Sequence, residues 1–271
     1  MRFRRGQRLL YVTGGAGFLG RHLLAAMPRG WDIIAPPSGS VDIRSAAAVV
    51  ADIREWRPQA VVHLAYRRDD RAAIVAGSAN VALAAAAVRA RLVHLSTDVV
   101  FAGRRRPYVE SDRTDAVIDY GRWKADAERQ VADAHPTAVL VRTSLIYGTD
   151  TLARIQHDVA AAATGQNAMA FFTDELRCPV HAADLASAVA RLAARPEVTG
   201  PLHIAGPDAI DRFSFATRMA RWMGHEPAKL RSSTIAESGL SRPATVVLDT
   251  SLATELGYRC RSIDEALAAN R

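Results

Sequence analysis

The 271-residue chain is 49% apolar and 23% charged, a globular balance that excludes wholesale disorder, collagen-like repeats and a coiled coil and allows one large or two intimate domains. No stretch reaches the ~18 uninterrupted apolar residues of a membrane span. The formal net charge is +7, but only two of the 35 basic residues are lysine and the arginines are spread along the chain, without the aromatic interleaving or zinc-finger spacing of a nucleic-acid binder.

Residues 9–12 read as a buried strand and 18–27 as a helix stopped by Pro28 and Gly30. A strand follows at 32–35, a helix at 45–56 stopped by Pro58, and a strand at 60–65. Residues 72–89 form a long Ala-rich helix, 92–96 a strand, 120–134 a helix and 138–144 a strand. Short apolar strands alternating with helices predict an α/β, doubly wound parallel sheet covered on both faces. After Gly148 the pattern loosens, with helices expected at 152–164, 182–194, 214–223, 251–256 and 263–270 and strands near 168–172 and 202–205. The chain is therefore read as an α/β domain over 1–148 and, over 149–271, a smaller α+β lobe, the two interleaved near an approximate boundary.

The densest basic runs, Arg2-Phe3-Arg4-Arg5 and Arg104-Arg105-Arg106, read as a solvated tail and as a loop near the mouth of a site. Cys178 and Cys260 are lone cysteines without a CxxC spacing, which fits a reducing cytoplasm and no disulfide scaffold. The apolar run at 9–12 is too short for a signal peptide. The eight histidines include no HxxxH or HExxH, so no metal site is expected. His63, His94 and His203 fall in strands, where satisfied core histidines are common.

The first strand runs into Thr13-Gly14-Gly15-Ala16-Gly17-Phe18-Leu19-Gly20 and then a helix. Gly14 permits the tight turn, Gly17 lets backbone N–H groups approach a pyrophosphate, and Gly20 lets helix and strand pack closely. The helix N-terminus adds unpaired N–H donors and a positive dipole end. The strand at 32–35 ends in Pro36-Pro37-Ser38-Gly39-Ser40, with no carboxylate to hold a ribose 2′-hydroxyl. Ser38 and Ser40 are candidates for a 2′-phosphate, which favours NADP(H) over NAD(H) while leaving both open.

Tyr120 and Lys124 stand at i and i+4 on one helix and so share a face. A phenol ordinarily ionises near pH 10, and lowering that by about 3 units takes roughly 4 kcal/mol of differential stabilisation, which a nearby ammonium can supply. Lys124 is one of two lysines in a chain that otherwise uses arginine, which points to a need for a compact ammonium there. At the end of a preceding strand lies Ser96-Thr97-Asp98-Val99-Val100-Phe101. Its hydroxyls serve equally as a polar strand end or as donors to a substrate carbonyl.

With these residues in hand the chain resembles the extended short-chain dehydrogenase/reductase family, in its dTDP-4-dehydrorhamnose reductase-like branch. The resemblance covers almost the whole chain: the glycine loop, Val41-Asp42-Ile43, His63-Leu64-Ala65 with Tyr66, Asn80, the Ser96–Phe101 hydroxyl segment, Pro107-Tyr108-Val109-Glu110, Tyr120 to Lys124, the segment from Arg142 to Gly148, Asp174 with Pro179, Asp184-Leu185-Ala186, Leu202 to Gly206, and Arg242-Pro243. It implies an NAD(P)H-dependent reductase of a nucleotide-linked keto-sugar or related ketone, with Tyr120 as general acid, Lys124 as ribose partner and Thr97 as carbonyl donor. It further implies cofactor contacts at Gly14, Gly17, Phe18, Leu19, Gly20, Ser38, Asp42, Ile43, Leu64, Ala65, Tyr66, Tyr120 and Lys124. Asp98, Val99 and Arg177 become substrate contacts, although Arg177 and Arg154 also read as solvated surface arginines. Members of the family are often homodimers. Three positions depart from the branch: Val99 replaces a Tyr, Val180 replaces a Thr, and Thr151-Leu152-Ala153-Arg154 lacks the usual Asn-Phe. A sugar-nucleotide epimerase on the same fold, or a non-catalytic NADP-binding subunit such as the regulatory subunit of methionine adenosyltransferase, are the alternatives.

Overall fold

The computed structural model describes residues 8–37 and 39–269. The tail arginines 2, 4 and 5, Ser38 and Asn270 lie outside the described residues. In chain order the first elements are β1 (Arg8–Thr13), α1 (Phe18–Ala26), β2 (Trp31–Ile34), α2 (Ala46–Trp56), β3 (Ala60–His63), α3 (Arg71–Ala87), β4 (Arg91–Leu95), α4 (Asp119–Ala134) and β5 (Val139–Arg142). There follow β6 (Ile146–Tyr147), α5 (Arg154–Thr164), β7 (Ala170–Phe172), β8 (Leu176–Arg177), β9 (Val180–His181), α6 (Ala182–Leu192) and β10 (Gly200–His203). The chain closes with β11 (Ile210–Asp211), α7 (Arg212–Trp222), β12 (Arg231–Ser233), α8 (Ile235–Ser238), α9 (Ser251–Glu255) and α10 (Ile263–Ala268).

The alternating apolar runs build a six-stranded sheet in the order β10-β5-β4-β3-β1-β2, and the pairings from β5 to β2 are parallel. Strand side chains alternate between faces. Tyr11, Val61, Leu92 and Leu140 pack with Val49 and Ile53 of α2, Val81 and Ala85 of α3 and Val131 of α4. Their neighbours of opposite parity, Leu10, Val12, Val62, Val93 and Val141, are equally buried, so both faces are covered. Between β1 and β3 the strand order reverses, and the carboxyl ends of the strands at such a switch point form a crevice suited to ligands.

Local signals explain the element ends. Ser45 caps α2 by accepting from Ala48 N, and Asp70 caps α3 by accepting from Ala73 N. Arg57, in the left-handed region at φ 46°, ends α2 just before Pro58. Strand β3 stops at His63 rather than continuing to 65: Leu64 N still reaches Thr13 O, but Ala65 N turns to the Thr13 hydroxyl. The small strands β6, β8, β9, β11 and β12, two or three residues long, fall below the length at which alternation is legible.

The chain forms two compact units. The first comprises, among the described residues, 8–97, 119–142 and 185–202, and carries the large sheet. The second comprises 98–118, 143–184 and, among the described residues, those from 203 onward. Its core gathers Tyr147, Val159, Phe171, Phe215, Met219, Leu230 and Ile263, with the Tyr147 ring edge-on to Phe215 at 5.8 Å. Among the described residues no helix is long and apolar enough to cross a membrane, and no cluster of three or more His, Cys, Asp or Glu could hold a metal ion.

Candidate active site

The glycine loop lies at the switch point. Gly14 adopts φ +74°, and a Cβ there would sit 2.7 Å from Ala65 N, so the turn and its approach to the end of β3 both require glycine. Gly17 N donates to Gly14 O at 3.0 Å and Gly17 starts α1 in extended backbone. Gly20 packs α1 onto the loop: a Cβ there would lie 2.3 Å from Gly14 O and 2.5 Å from Gly15 O. The result is a helix N-terminus faced by bare backbone, which suits a pyrophosphate. Phe18 and buried Leu19 open α1, and the Phe18 ring stands edge-on to His22 at 5.0 Å.

Buried His63 fixes the base of this loop. The Ser78 hydroxyl gives its proton to Ile74 O at 2.6 Å, so its oxygen accepts from His63 Nε2 at 3.1 Å. That leaves Nδ1 as the acceptor for the Thr13 hydroxyl at 2.6 Å. Burial, with the Lys124 charge second, pushes the His63 pKa down to about 3 and so keeps this tautomer neutral. His94 pairs with it across the sheet, ring to ring at 5.3 Å. The expectation of a satisfied core histidine holds for His63 but not for His94. Neither His94 nitrogen has a hydrogen-bond partner among the described residues, and burial holds its pKa well below the ordinary value.

On the β2 side, Ile43 is half-buried and its carbonyl accepts from Asn80 Nδ2 at 2.9 Å. Asp42 is exposed and its carboxylate is gripped by Arg44, which lowers its pKa to about 2. Arg44 also bridges to Asp70, the α3 cap, at 3.1 Å. After β3 come buried Leu64, half-buried Ala65 and exposed Tyr66.

Tyr120 is the second residue of α4 and packs on Ile74, Val75 and Ala127. The Tyr66 ring lies 6.1 Å from its ring, and the Arg68 guanidinium lies 5.3 Å from its centroid. One turn on, Lys124 is 5% exposed and its Nζ donates to Leu95 O at 2.6 Å. That bond brings the Tyr–Lys face of α4 to the end of β4, two residues before half-buried Thr97. Burial lowers the Lys124 pKa to about 8, and Glu128 works against the fall. Sequence reasoning missed Glu128, buried one further turn along α4 with Arg142 on its carboxylate at 2.8 Å. Its i+4 spacing from Lys124 was the available signal.

The residues expected on the substrate side fall in the second unit. Asp98 is buried in a short 3₁₀ turn, accepts from Ser144 Oγ at 2.6 Å and lies 3.7 Å from Arg177 Nε. Arg177 is not a solvated arginine. It is 4% exposed and donates to the carbonyls of Leu176, Ala244 and Pro243, with Glu175 at 3.3 Å. Arg154 is exposed. Val99 is half-buried in the same turn as Asp98, and Val180 is fully buried in the β6–β9 pair opposite Ile146. Arg104 and Arg106 of the basic run both close on Asp112, and Arg104 stacks on Tyr108 at 3.8 Å.

A family model described as the RmlD substrate binding domain matches residues 8–270. The chain is 32% identical over 246 residues to a probable dTDP-4,6-dihydroxy-2-methyloxan-3-one 4-ketoreductase from Streptomyces antibioticus, covering 86% of this chain and 82% of that one. It is 32% identical over 256 residues to dTDP-4-dehydrorhamnose reductase from Mycobacterium tuberculosis, covering 89% and 83%. The fold superposes with a TM-score of 0.87 on the crystal structure of a Bacillus anthracis dTDP-4-dehydrorhamnose reductase in complex with NADP, at 24% identity and covering 97% and 98% of the two chains.

Proposed function

This chain belongs to the RmlD substrate binding domain family, and from that premise we propose that it is an NAD(P)H-dependent reductase of a nucleotide-linked keto-sugar or related ketone. The observation that carries the reading is the Lys124–Leu95 bond, which sets Tyr120 and Lys124 beside the end of the strand that leads to Thr97. The residues present fit a dinucleotide. A Cβ at Gly14 or Gly20 would collide with backbone, so the loop stays bare beneath the α1 N-terminus. Gly14, Gly17, Phe18, Leu19 and Gly20 would hold the pyrophosphate, and Asp42 and Ile43 the adenosine end. Leu64, Ala65 and Tyr66 would line the path to Tyr120 and Lys124. No carboxylate follows β2 in the described residues Ala35, Pro36 and Pro37, which supports NADP(H) over NAD(H).

The reduced nicotinamide, when bound, supplies the hydride. Tyr120 delivers its phenolic proton to the oxygen of the ketone being reduced. Thr97 donates a hydrogen bond to that oxygen and favours the charge developing on it. Lys124 favours the phenolate left on Tyr120 and offers its ammonium to the cofactor ribose. Asp98 and Arg177 have their polar groups engaged inside the second unit, so we assign them to shaping the substrate lobe, with Val99 the neighbouring contact.

The test mixes the protein with NADPH or NADH and a panel of nucleotide-linked 4-keto sugars and follows the reduced-nicotinamide absorbance. Stoichiometric oxidation that disappears in Tyr120→Phe is expected. Product formed without net oxidation would instead establish an epimerase. Tight cofactor binding with no turnover would indicate a non-catalytic subunit.

A further inference from the structure

Glu128 follows Lys124 by one helical turn, as Tyr120 precedes it, so the three share a face of α4. Glu128 is 4% exposed. Its carboxylate accepts from Arg142 Nε at 3.1 and 3.2 Å, from Arg142 Nη2 at 2.8 Å, and from the Ser96 hydroxyl. Ser96 immediately precedes Thr97, and Ser96 N donates to Val141 O at 2.7 Å. One buried carboxylate thus joins α4, β4 and β5 at the ends that carry Tyr120, Lys124 and Thr97.

We infer that Glu128 is a positioning residue for the reduction, keeping Lys124 in its ammonium form and locking the Ser96–Thr97 strand end against α4. The inference rests on the proposed roles of Tyr120, Lys124 and Thr97. A buried ammonium without a counter-charge tends to lose its proton. The groups facing Lys124 are Tyr120 and Glu128 on α4, His63 on β3, and His94 and the Leu95 carbonyl on β4. Both imidazoles are neutral and add no negative charge. Arg142 of β5 stands behind Glu128, and Arg71 of α3 is drawn 3.7 Å from Asp126. Among these described groups, the anion acting on Lys124 is Glu128, whose charge works with the Leu95 carbonyl to hold the Lys124 pKa up against burial. The Glu128–Arg142 pair by itself is no evidence for a stability role, because buried ion pairs are often replaceable by apolar residues.

The chain's two lysines make the test direct. Lysine-selective ¹³C labelling of the full chain gives one signal from Lys124 and one from exposed Lys229, assigned with Lys229→Arg. In Glu128→Gln the Lys124 titration midpoint is expected to fall by about one to three pH units while Lys229 stays fixed. The alkaline limb of kcat/KM is expected to move down by the same amount. An unmoved Lys124 midpoint in folded Glu128→Gln overturns the inference. If that variant does not fold, Arg142→Met is compared with Arg142→Met combined with Glu128→Gln, so that the Arg142 charge is absent from both; a lower Lys124 midpoint in the double variant is expected, and equal midpoints overturn the inference. The titration needs neither substrate nor cofactor. A wild-type protein with no turnover on any ketone would therefore count against the reductase reading alone, whereas a moved midpoint with an unmoved activity limb would refute the link to catalysis.

Discussion

Gly20→Ala tests whether the loop is a cofactor cradle or merely a turn. The new Cβ would lie 2.3 Å from Gly14 O and 2.5 Å from Gly15 O, both backbone atoms, so α1 must retreat by roughly 0.7 Å to reach even the tightest tolerated contact. Overpacking of this kind costs about 1–3 kcal/mol. Alanine in a helix returns about 1 kcal/mol through propensity, which leaves a net loss of up to about 2 kcal/mol. Retreat also pulls the first-turn N–H groups away from the pyrophosphate. Losing one hydrogen bond to a charged group, at about 1.5–3 kcal/mol, weakens binding about tenfold to a hundredfold. Thermal denaturation of the free protein and fluorescence titration with NADPH read the two effects separately. A variant with raised Tm and unaltered NADPH affinity would mean that only helix propensity operates at this position, and the cradle argument would fail.

Acid sensitivity follows from His63. Its folded-state pKa, about 3, lies below the unfolded value of 6.5. Its stabilising contribution is therefore complete above pH 6.5 and is lost as pH falls toward 3. Between pH 6.5 and 4.5 that loss is about 2 kcal/mol. Urea denaturation at the two pH values is expected to show a loss smaller by about that amount in His63→Gln, and an identical loss in both proteins would refute the assignment. Asn80→Ala frees the Ile43 and Arg44 carbonyls from their shared donor and is expected to raise the KM for the cofactor several-fold with kcat little changed. A fall in kcat at constant KM would show that Asn80 acts elsewhere.

Several features were settled by the sequence alone. Apolar runs alternating with helices specify parallel strands, because each helix crosses back and returns the chain to the same end of the sheet before the next strand begins. The glycines at 14 and 20 mark backbone with no room for a Cβ, and the four-residue spacing of Tyr120 and Lys124 puts them on one face without reference to the rest of the chain. Only the tertiary structure decided what those groups meet. It sent Lys124 to the Leu95 carbonyl, and it enlisted Glu128, Ser96 and Arg142 around it from one helix and two strands. It buried Arg177 on carbonyls from residues 176, 243 and 244, where the sequence left it as either a substrate contact or a solvated side chain. It left both His94 nitrogens without a hydrogen-bond partner among the described residues, beside a fully bonded His63. It also drew the two units from alternating segments of the chain. The physical reason is common to the three side-chain placements. A polar side chain's energy depends on partners tens of residues away, and their identity is fixed only when the strands pair and the helices pack.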